Sequence, residues 1–284
     1  MVTGRSRGLV RGLVVASHLP PTVMVTAFAL ALSAGIGAGA RTTTLVALAV
    51  LTGQLSVGWS NDWLDARRDV AVGRADKPVV TGLVTAATLR AAALVALGAC
   101  VVLSLATGLL PGAVHVVAVG VAWSYNALLK ATWWSWAPYA VSFGLLAVFV
   151  VLAAPGAGRP APWAVAAAAL LGVGAPVANT LAPLEDDAAT GVRGLPHRLG
   201  RRARSVLAPV RLAAGSALVV LAPPTPPGPV TWALGAVAVV LALAAGAVGV
   251  VRPRSRAPFA LSMAVAGVCV VLLVLAAPAV VVPG

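Results

Sequence analysis

The sequence predicts an all-α integral membrane protein built from nine transmembrane helices. Hydrophobic residues make up 60% of its 284 residues and charged residues only 10%, and the mean hydropathy is +0.99. In soluble domains, about a quarter of the residues carry charged side chains. This composition therefore excludes a soluble globular protein and calls for apolar segments long enough to cross a bilayer.

Nine apolar runs approach or exceed the roughly 20 residues that a helix needs to span the hydrocarbon core. Breaks between them carry turn residues, such as Pro111-Gly112, Pro155-Gly156 and PPTPPGP at 223–229. Proline ends helices because it has no N–H and clashes with the preceding turn. No separate soluble domain is visible, so residues 1–284 are predicted to form one membrane domain. In order, the predicted helices cover approximately residues 12–38, 42–60, 81–107, 112–130, 138–155, 162–182, 205–222, 230–251 and 258–282.

The net charge of +13 raises the question of a nucleic-acid partner, which the distribution of the charges answers. If the helices alternate across the bilayer, 17 of the 20 basic residues fall on one side, as the positive-inside rule requires of the cytoplasmic face. We therefore expect the lipid bilayer and no nucleic acid as a partner, with the N-terminus in the cytoplasm and the C-terminus outside the plasma membrane. The 17 residues are Arg5, Arg7, Arg11, Arg67, Arg68, Arg74, Lys77, Lys130, Arg193, Arg198, Arg201, Arg202, Arg204, Arg211, Arg252, Arg254 and Arg256.

Acidic residues, unlike basic ones, occur in only two segments. Four of the seven lie in SNDWLDARRDVAVGRADKP, residues 60–78, and three lie in LEDDAATGVRGLPHRLG, residues 184–200. Each segment lies at the predicted cytoplasmic end of an even-numbered helix. The two segments also repeat each other, because a shift of 118 residues aligns Asn61 with Asn179, Asp69 with Asp187, Gly73 with Gly191, and Pro78 with Pro196. This repeat predicts two related halves, approximately 1–130 and 131–284, that face one central cavity.

Three oxygen donors of the first acidic segment converge if the second helix continues through it. Asn61, Asp65 and Asp69 are four residues apart, and side chains at that spacing project from one face of a helix. Magnesium is held in proteins by one or two carboxylates, while substrate phosphates and water complete its octahedral shell. The spacing therefore favours a magnesium and diphosphate site. The alternative is a solvated, charged loop, which explains the arginines but not the absence of acids from the other cytoplasmic loops.

The pattern Asn61-x3-Asp65-x3-Asp69, followed about 120 residues later by EDDAATGVRGLP and set among nine apolar helices, resembles the UbiA superfamily of intramembrane prenyltransferases. The resemblance spans nearly the whole chain and is to the bacterial, 4-hydroxybenzoate polyprenyltransferase-like members. It implies a nine-helix bundle around a central cavity open to the bilayer, Mg2+ as cofactor and an isoprenoid diphosphate as substrate. It also implies that Asn61, Asp65, Asp69 and Asp187 bind the metal and the diphosphate.

The second acidic segment departs from the family pattern at one position. The family has an aspartate four residues before the closing aspartate, here Asp187, whereas this chain has Pro183. The internal repeat indicates the same gap, because Asp65 shifted by 118 residues falls on Pro183. Asp186 and Asn179 are the candidate replacements, and we include Asp186 in the predicted metal site.

The reaction that the resemblance implies is prenyl transfer. With its diphosphate neutralised by magnesium and protein cations, an allylic prenyl diphosphate ionises to a carbocation, and a small acceptor, often aromatic in this family, attacks it and loses a proton. Arginine suits bidentate contact with phosphate, and the family often places a tyrosine and a basic residue near the diphosphate at the end of the fourth helix. The candidates for diphosphate contact are Arg67, Arg68, Lys77, Arg193, Arg198 and Tyr125, and the candidate catalytic residues are Asp65, Asp69, Asp187 and Lys130.

Other activities remain open at this point. A terpene cyclase or diphosphate lyase of the same family would use the same site without an acceptor. A membrane transporter also gathers ionisable residues, but its charges are expected near the bilayer midplane, whereas these lie at helix ends. A non-catalytic membrane scaffold is the third alternative. The sequence makes no prediction of donor chain length, acceptor identity or oligomeric state.

Overall fold

Long helices form most of the computed structural model, which describes residues 2–156, 158–179, 200–252, 255 and 257–283. A π-helical turn, Tyr125–Leu129, continues the fifth helix, and a 3-10 helix, Trp133–Trp136, leads into the sixth. Two short strands, β1 (Arg159–Pro160) and β2 (Val281–Val282), pair antiparallel. The α-helices are α1 Val2–Ala16, α2 Leu19–Gly35, α3 Ala40–Ala71, α4 Ala86–Leu105, α5 Leu109–Ser124, α6 Ala137–Ala153, α7 Pro162–Asn179, α8 Gly200–Leu221, α9 Pro229–Val251, α10 Ala257–Leu275 and α11 Ala277–Val280.

Six of the described helical segments are long and apolar enough to cross a membrane, and α1 with α2 makes a seventh if the pair forms one bent span. Two further apolar stretches, at 162–173 and 210–221, are shorter. The all-α class and the apolar, membrane-spanning character are therefore confirmed for the described residues. The count of nine transmembrane helices stays a prediction.

The predicted first helix, 12–38, is wrong as a single element. The structure has two helices there, bent by 66°, and His18 between them adopts a left-handed backbone with φ of 51°. Pro20 and Pro21 cause the break, because neither has an N–H to donate to the carbonyls of Ala16 and Ser17 one turn earlier. The hydroxyl of Thr22 donates to the Ser17 carbonyl instead, at 2.7 Å.

Neighbouring helices in the sequence pack against each other from α2 to α10, and α10 also contacts α2, so the bundle closes on itself. Its largest apolar core joins side chains of α2, α3, α6, α7, α8 and α10, with Leu32, Val50, Phe149 and Leu272 almost completely buried. Close packing of this kind holds the helix ends in a defined arrangement. The ends of α3 and α5 matter most here, because they carry the charged residues.

The predicted second helix is longer than its apolar run. α3 continues from the predicted end at residue 60 to Ala71, so the first acidic segment is helical through Asp69. The predicted last helix, 258–282, is shorter than expected, because α10 ends at Leu275 and is followed by the short α11 and β2. Pro278 in that region has no N–H to continue the helical hydrogen bonds of α10.

Candidate active site

The last three turns of α3 present one face of oxygen donors. Asn61, Asp65 and Asp69 follow one another at four-residue steps within continuous helix, as the sequence predicted. The two carboxylates are buried, with Asp65 6% and Asp69 1% exposed. Burying charged groups is unfavourable unless cations or other ligands compensate them, so the partners of each carboxylate define the site.

Asp65 lies between two cations. Arg68 Nη2 donates to one carboxylate oxygen at 3.0 Å, and Lys130 Nζ donates to the other. Lys130 directly follows the π-helical turn after α5, and its N–H closes that turn with a bond to the Tyr125 carbonyl at 3.1 Å. Single π-helical turns are rare in proteins, and those that do occur are often found at functional sites. This one places the lysine that follows it at the acidic face of α3.

Asp69 is less fully compensated. Arg68 Nη2 and Arg74 Nη1 each lie 3.8 Å from its Oδ1, which is beyond hydrogen-bond distance. Within the described part of the chain, this buried Oδ1 has no hydrogen-bond partner. A buried carboxylate oxygen in such surroundings is a candidate ligand for a cation.

Asp62 is the most heavily engaged acid, although it lies outside the four-residue register. Its Oδ1 accepts from Lys77 Nζ at 2.6 Å and is 3.0 Å from His18 Nε2, and only 2% of its side chain is exposed. His18 belongs to the break between α1 and α2, and Lys77 belongs to the segment after α3. Trp59 Nε1 donates to the Leu13 carbonyl at 2.9 Å beside this contact. Asp62 therefore ties three elements together next to the candidate site.

The segment between α3 and α4 carries an ion pair that faces solvent. Arg74 donates to Asp76 at 3.2 Å, and 58% of the Asp76 side chain is exposed. Partial burial raises the pKa of Asp76, but the hydrogen bond and the positive charge of Arg74 outweigh it and leave this pKa below its ordinary value. Asp76 is thus an acid of the first segment that does not belong to the buried face.

The structure brings together only some of the predicted site residues. Asn61, Asp65, Asp69, Arg68 and Lys130 meet at the ends of α3 and α5. Lys77 is buried beside them but pairs with Asp62, and Tyr125 packs edge-to-face on Tyr139 with ring centroids 4.8 Å apart. Arg67 is exposed, and no ion pair joins it to the acids of the described segments. The predicted residues of the second motif, Asp186, Asp187, Arg193 and Arg198, lie outside the described residues together with Pro183, and Asn179 ends α7.

Sequence reasoning missed four residues of this site. Arg74 approaches Asp69, His18 and Asp62 pair with each other, and buried Asn126 in the π turn accepts from Asn61 Nδ2 at 3.1 Å. His18 stands before a Pro-Pro pair, which indicates a break where a polar side chain can leave the helix. Asn126 offered no such indication, since its partners are 65 residues or more away in the sequence.

The donor set suits a hard cation of the magnesium type. Asn61 supplies an amide and Asp65 and Asp69 supply carboxylates, all oxygen ligands of the kind that Mg2+ prefers, and Asp69 Oδ1 is buried without a hydrogen bond. The described residues hold no cluster of three or more His, Cys, Asp or Glu side chains that would form an all-protein metal cage. Magnesium typically keeps water and substrate phosphates as further ligands, so two carboxylates are compatible with a magnesium site.

Comparison with known proteins agrees with the family resemblance seen in the sequence. The chain is 32% identical to the bacteriochlorophyll synthase 33 kDa chain of Cereibacter sphaeroides over an alignment 202 residues long. The alignment covers 66% of this chain and 65% of that relative, slightly less than two thirds of the relative's length. Its fold is similar to the apo structure of a UbiA homolog from Aeropyrum pernix K1, with a TM-score of 0.71, 18% identity, and coverage of 89% of this chain and 97% of that one.

A second solved structure, a UbiA homolog from Archaeoglobus fulgidus bound to GPP and Mg2+, has a TM-score of 0.71 at 14% identity and covers 95% of this chain and 99% of that one. At these identities the structural likeness concerns the fold. The sequence model of the UbiA prenyltransferase family matches residues 22–268, which include the acidic face of α3 and Lys130. The chain belongs to the UbiA prenyltransferase family.

Proposed function

We propose that this protein transfers a prenyl group from an isoprenoid diphosphate to a small acceptor within the membrane, in a magnesium-dependent reaction. The observation that carries the proposal is the buried pair Asp65 and Asp69 on one face of α3, with Lys130, Arg68 and Arg74 around it. The carboxylates can serve as ligands of the metal, and the neighbouring cations can pair with the negatively charged diphosphate. The UbiA homolog from Archaeoglobus fulgidus was solved bound to GPP and Mg2+, which supports the same chemistry here.

Each residue of this cluster has a proposed task. Asn61, Asp65 and Asp69 would hold magnesium, with Asp187 and Asp186 of the second motif as further ligands. Bound magnesium would neutralise the diphosphate and make it a better leaving group. Lys130 and Arg68 would bind the diphosphate oxygens and stabilise the charge that develops on them as the C–O bond breaks. Both already contact the Asp65 carboxylate.

Five further residues are proposed to contact the diphosphate. Arg193 and Arg198 follow the second motif, and Tyr125 begins the π turn that carries Lys130. Lys77 is held by Asp62, so its proposed contact with the diphosphate requires it to share its ammonium hydrogens between the two. Arg67 stays a proposed diphosphate contact; it is exposed on α3 and adjoins Arg68 in the sequence.

The test is product analysis with purified protein. We expect Mg2+-dependent release of diphosphate from an allylic prenyl diphosphate, and mass spectrometry to detect a prenylated product with at least one small acceptor, aromatic acceptors being tried first. Release of diphosphate together with a hydrocarbon or alcohol in the absence of any acceptor would identify a cyclase or lyase instead. No release with any donor, combined with substrate flux in liposomes, would favour a transporter.

The charge distribution also supports an orientation. We propose that the end of α3 and the segment after it face the cytoplasm, within one membrane domain of nine spans and two related halves. A reporter that is active only in the cytoplasm is expected to be active when fused near Ala75 and inactive when fused near Gly108, between α4 and α5. Equal activity at both positions would contradict the alternation of α4 across the membrane.

A further inference from the structure

A buried asparagine, Asn126, connects the end of α5 to the acidic face of α3. It is the second residue of the π-helical turn, and only 3% of its surface is exposed. Its side chain makes three hydrogen bonds, all with α3, to Val57, Ser60 and Asn61. These partners are enough to determine which way its amide faces.

The carbonyl of Val57 determines the orientation of the Asn126 amide. A carbonyl oxygen only accepts hydrogen bonds, so the Asn126 atom 2.9 Å from it must be Nδ2. The same Nδ2 lies 2.9 Å from Ser60 Oγ, whose own hydrogen goes to the Val57 carbonyl. Ser60 therefore accepts from Asn126. With Nδ2 held on this side, Oδ1 of Asn126 is turned to Asn61.

The orientation of the Asn126 amide in turn determines the orientation of the Asn61 amide. Oδ1 of Asn126 is an acceptor only, so the Asn61 atom 3.1 Å from it is Nδ2. The Asn61 amide is planar, and its Oδ1 therefore points away from Asn126. An amide NH2 group is a donor and cannot ligate a cation, whereas the amide oxygen can. Of the two orientations of Asn61, the network selects the one that leaves the oxygen available.

We propose that Asn126 is a positioning residue for the magnesium site. By accepting the Asn61 N–H, it keeps the Asn61 oxygen turned outward as a ligand beside Asp65 and Asp69. This inference rests on the proposed function, because it takes those three residues as ligands. Outer partners that orient metal ligands contribute roughly 10- to 100-fold to metal affinity.

The test is Mn2+ binding, measured by electron paramagnetic resonance on purified protein with inorganic diphosphate present. Mn2+ prefers the same oxygen ligands as Mg2+, and the measurement does not depend on turnover. Asn126→Leu removes the acceptor for Asn61 and is expected to weaken Mn2+ binding by roughly 10-fold or more. Asn126→Ala is the second variant, in case leucine prevents folding. Ser60→Ala is the matched control, because it leaves the bond between Asn126 and the Val57 carbonyl intact, and it is expected to change binding less than about twofold.

A double variant separates orientation from a general structural role. Aspartate at position 61 presents an oxygen in either orientation, so it does not need Asn126. In the Asn61→Asp background, adding Asn126→Leu is therefore expected to change Mn2+ affinity less than about twofold. If Asn126→Leu and Asn126→Ala both bind Mn2+ like the wild type, or if the double variant is as weak as Asn126→Leu, the positioning role is excluded.

Asp65→Asn, measured in the same way, tells the two proposals apart. If it leaves Mn2+ binding unchanged, the proposed metal site itself is wrong, and the inference about Asn126 fails with it. If Asp65→Asn abolishes binding while the Asn126 variants do not affect it, the metal site stands and only the positioning role fails.

Discussion

Replacing Asp65 or Asp69 with Asn is expected to lower Mg2+-dependent diphosphate release by more than about 100-fold, since ligands of the metal should matter at least as much as their outer partners. Both carboxylates are buried on one face of α3, and each has cations within 4 Å. An amide in their place keeps one oxygen but loses the negative charge that attracts magnesium. The measurement is the initial rate of diphosphate release from an allylic prenyl diphosphate across a range of Mg2+ concentrations.

Asp76→Asn is the matched control for these two variants. Asp76 belongs to the same acidic segment, but it is mostly exposed and pairs with Arg74 near the surface. Exposed ion pairs contribute little, so this variant is expected to keep the rate within about twofold of the wild type. Equal tolerance of Asn at positions 65, 69 and 76 would instead support a solvated, charged loop with no catalytic role.

Asp62→Leu is expected to destabilise the protein by about 3–5 kcal/mol, because it leaves the ammonium of Lys77 buried without a counter-charge. The side chains of Asp62 and Lys77 are 2% and 10% exposed. The loss also removes the partner of His18, so one of the contacts that hold the break between α1 and α2 to α3 is lost, while the bond from Trp59 to the Leu13 carbonyl remains. The free energy of unfolding is measured by reversible denaturation in mixed micelles of dodecyl sulfate and a mild detergent.

The double variant Asp62→Leu with Lys77→Met is expected to recover most of the lost stability, because an apolar pair of similar size replaces a buried ion pair at little net cost. Asp76→Leu, which removes an exposed acid, is expected to change stability by less than about 0.5 kcal/mol. If Asp62→Leu alone is as stable as the wild type, Asp62 does not hold these elements together. Activity of the stable double variant then tests Lys77 as a diphosphate ligand, because that role predicts a loss of turnover despite normal stability.

Local patterns were enough to predict most of the helices and the acidic face of α3. Runs of about 20 apolar residues predict helices wherever the bilayer is the solvent, because every backbone N–H and C=O must be paired within the segment. The four-residue spacing of Asn61, Asp65 and Asp69 predicts a shared face as soon as the helix continues, and α3 does continue to Ala71. Both inferences depend only on residues that are close in the sequence.

The sequence also contains the prolines that interrupt the helix at His18, but it does not show which partners the freed polar groups find. Pro20 and Pro21 indicate that the helix is interrupted, yet the apolar run across them reads as one span. Whether such a run kinks or divides into two helices depends on what receives the freed polar groups. Here the Thr22 hydroxyl donates to the Ser17 carbonyl, and the Asp62 carboxylate pairs with the His18 side chain.

The sequence by itself determined the class of protein, the positions of most helices and the acidic face of α3, because these follow from composition and from spacings of one or two helical turns. Only the tertiary structure decided which partners the charges have. Lys130 and Asn126 reach Asp65 and Asn61 from 65 residues away, and Lys77 turns to Asp62. In a low-dielectric interior, each buried charge or amide needs a partner with defined geometry. Packing of α5 and of the segment after α3 against α3 determines that partner, and no pattern of residues close in the sequence predicts it.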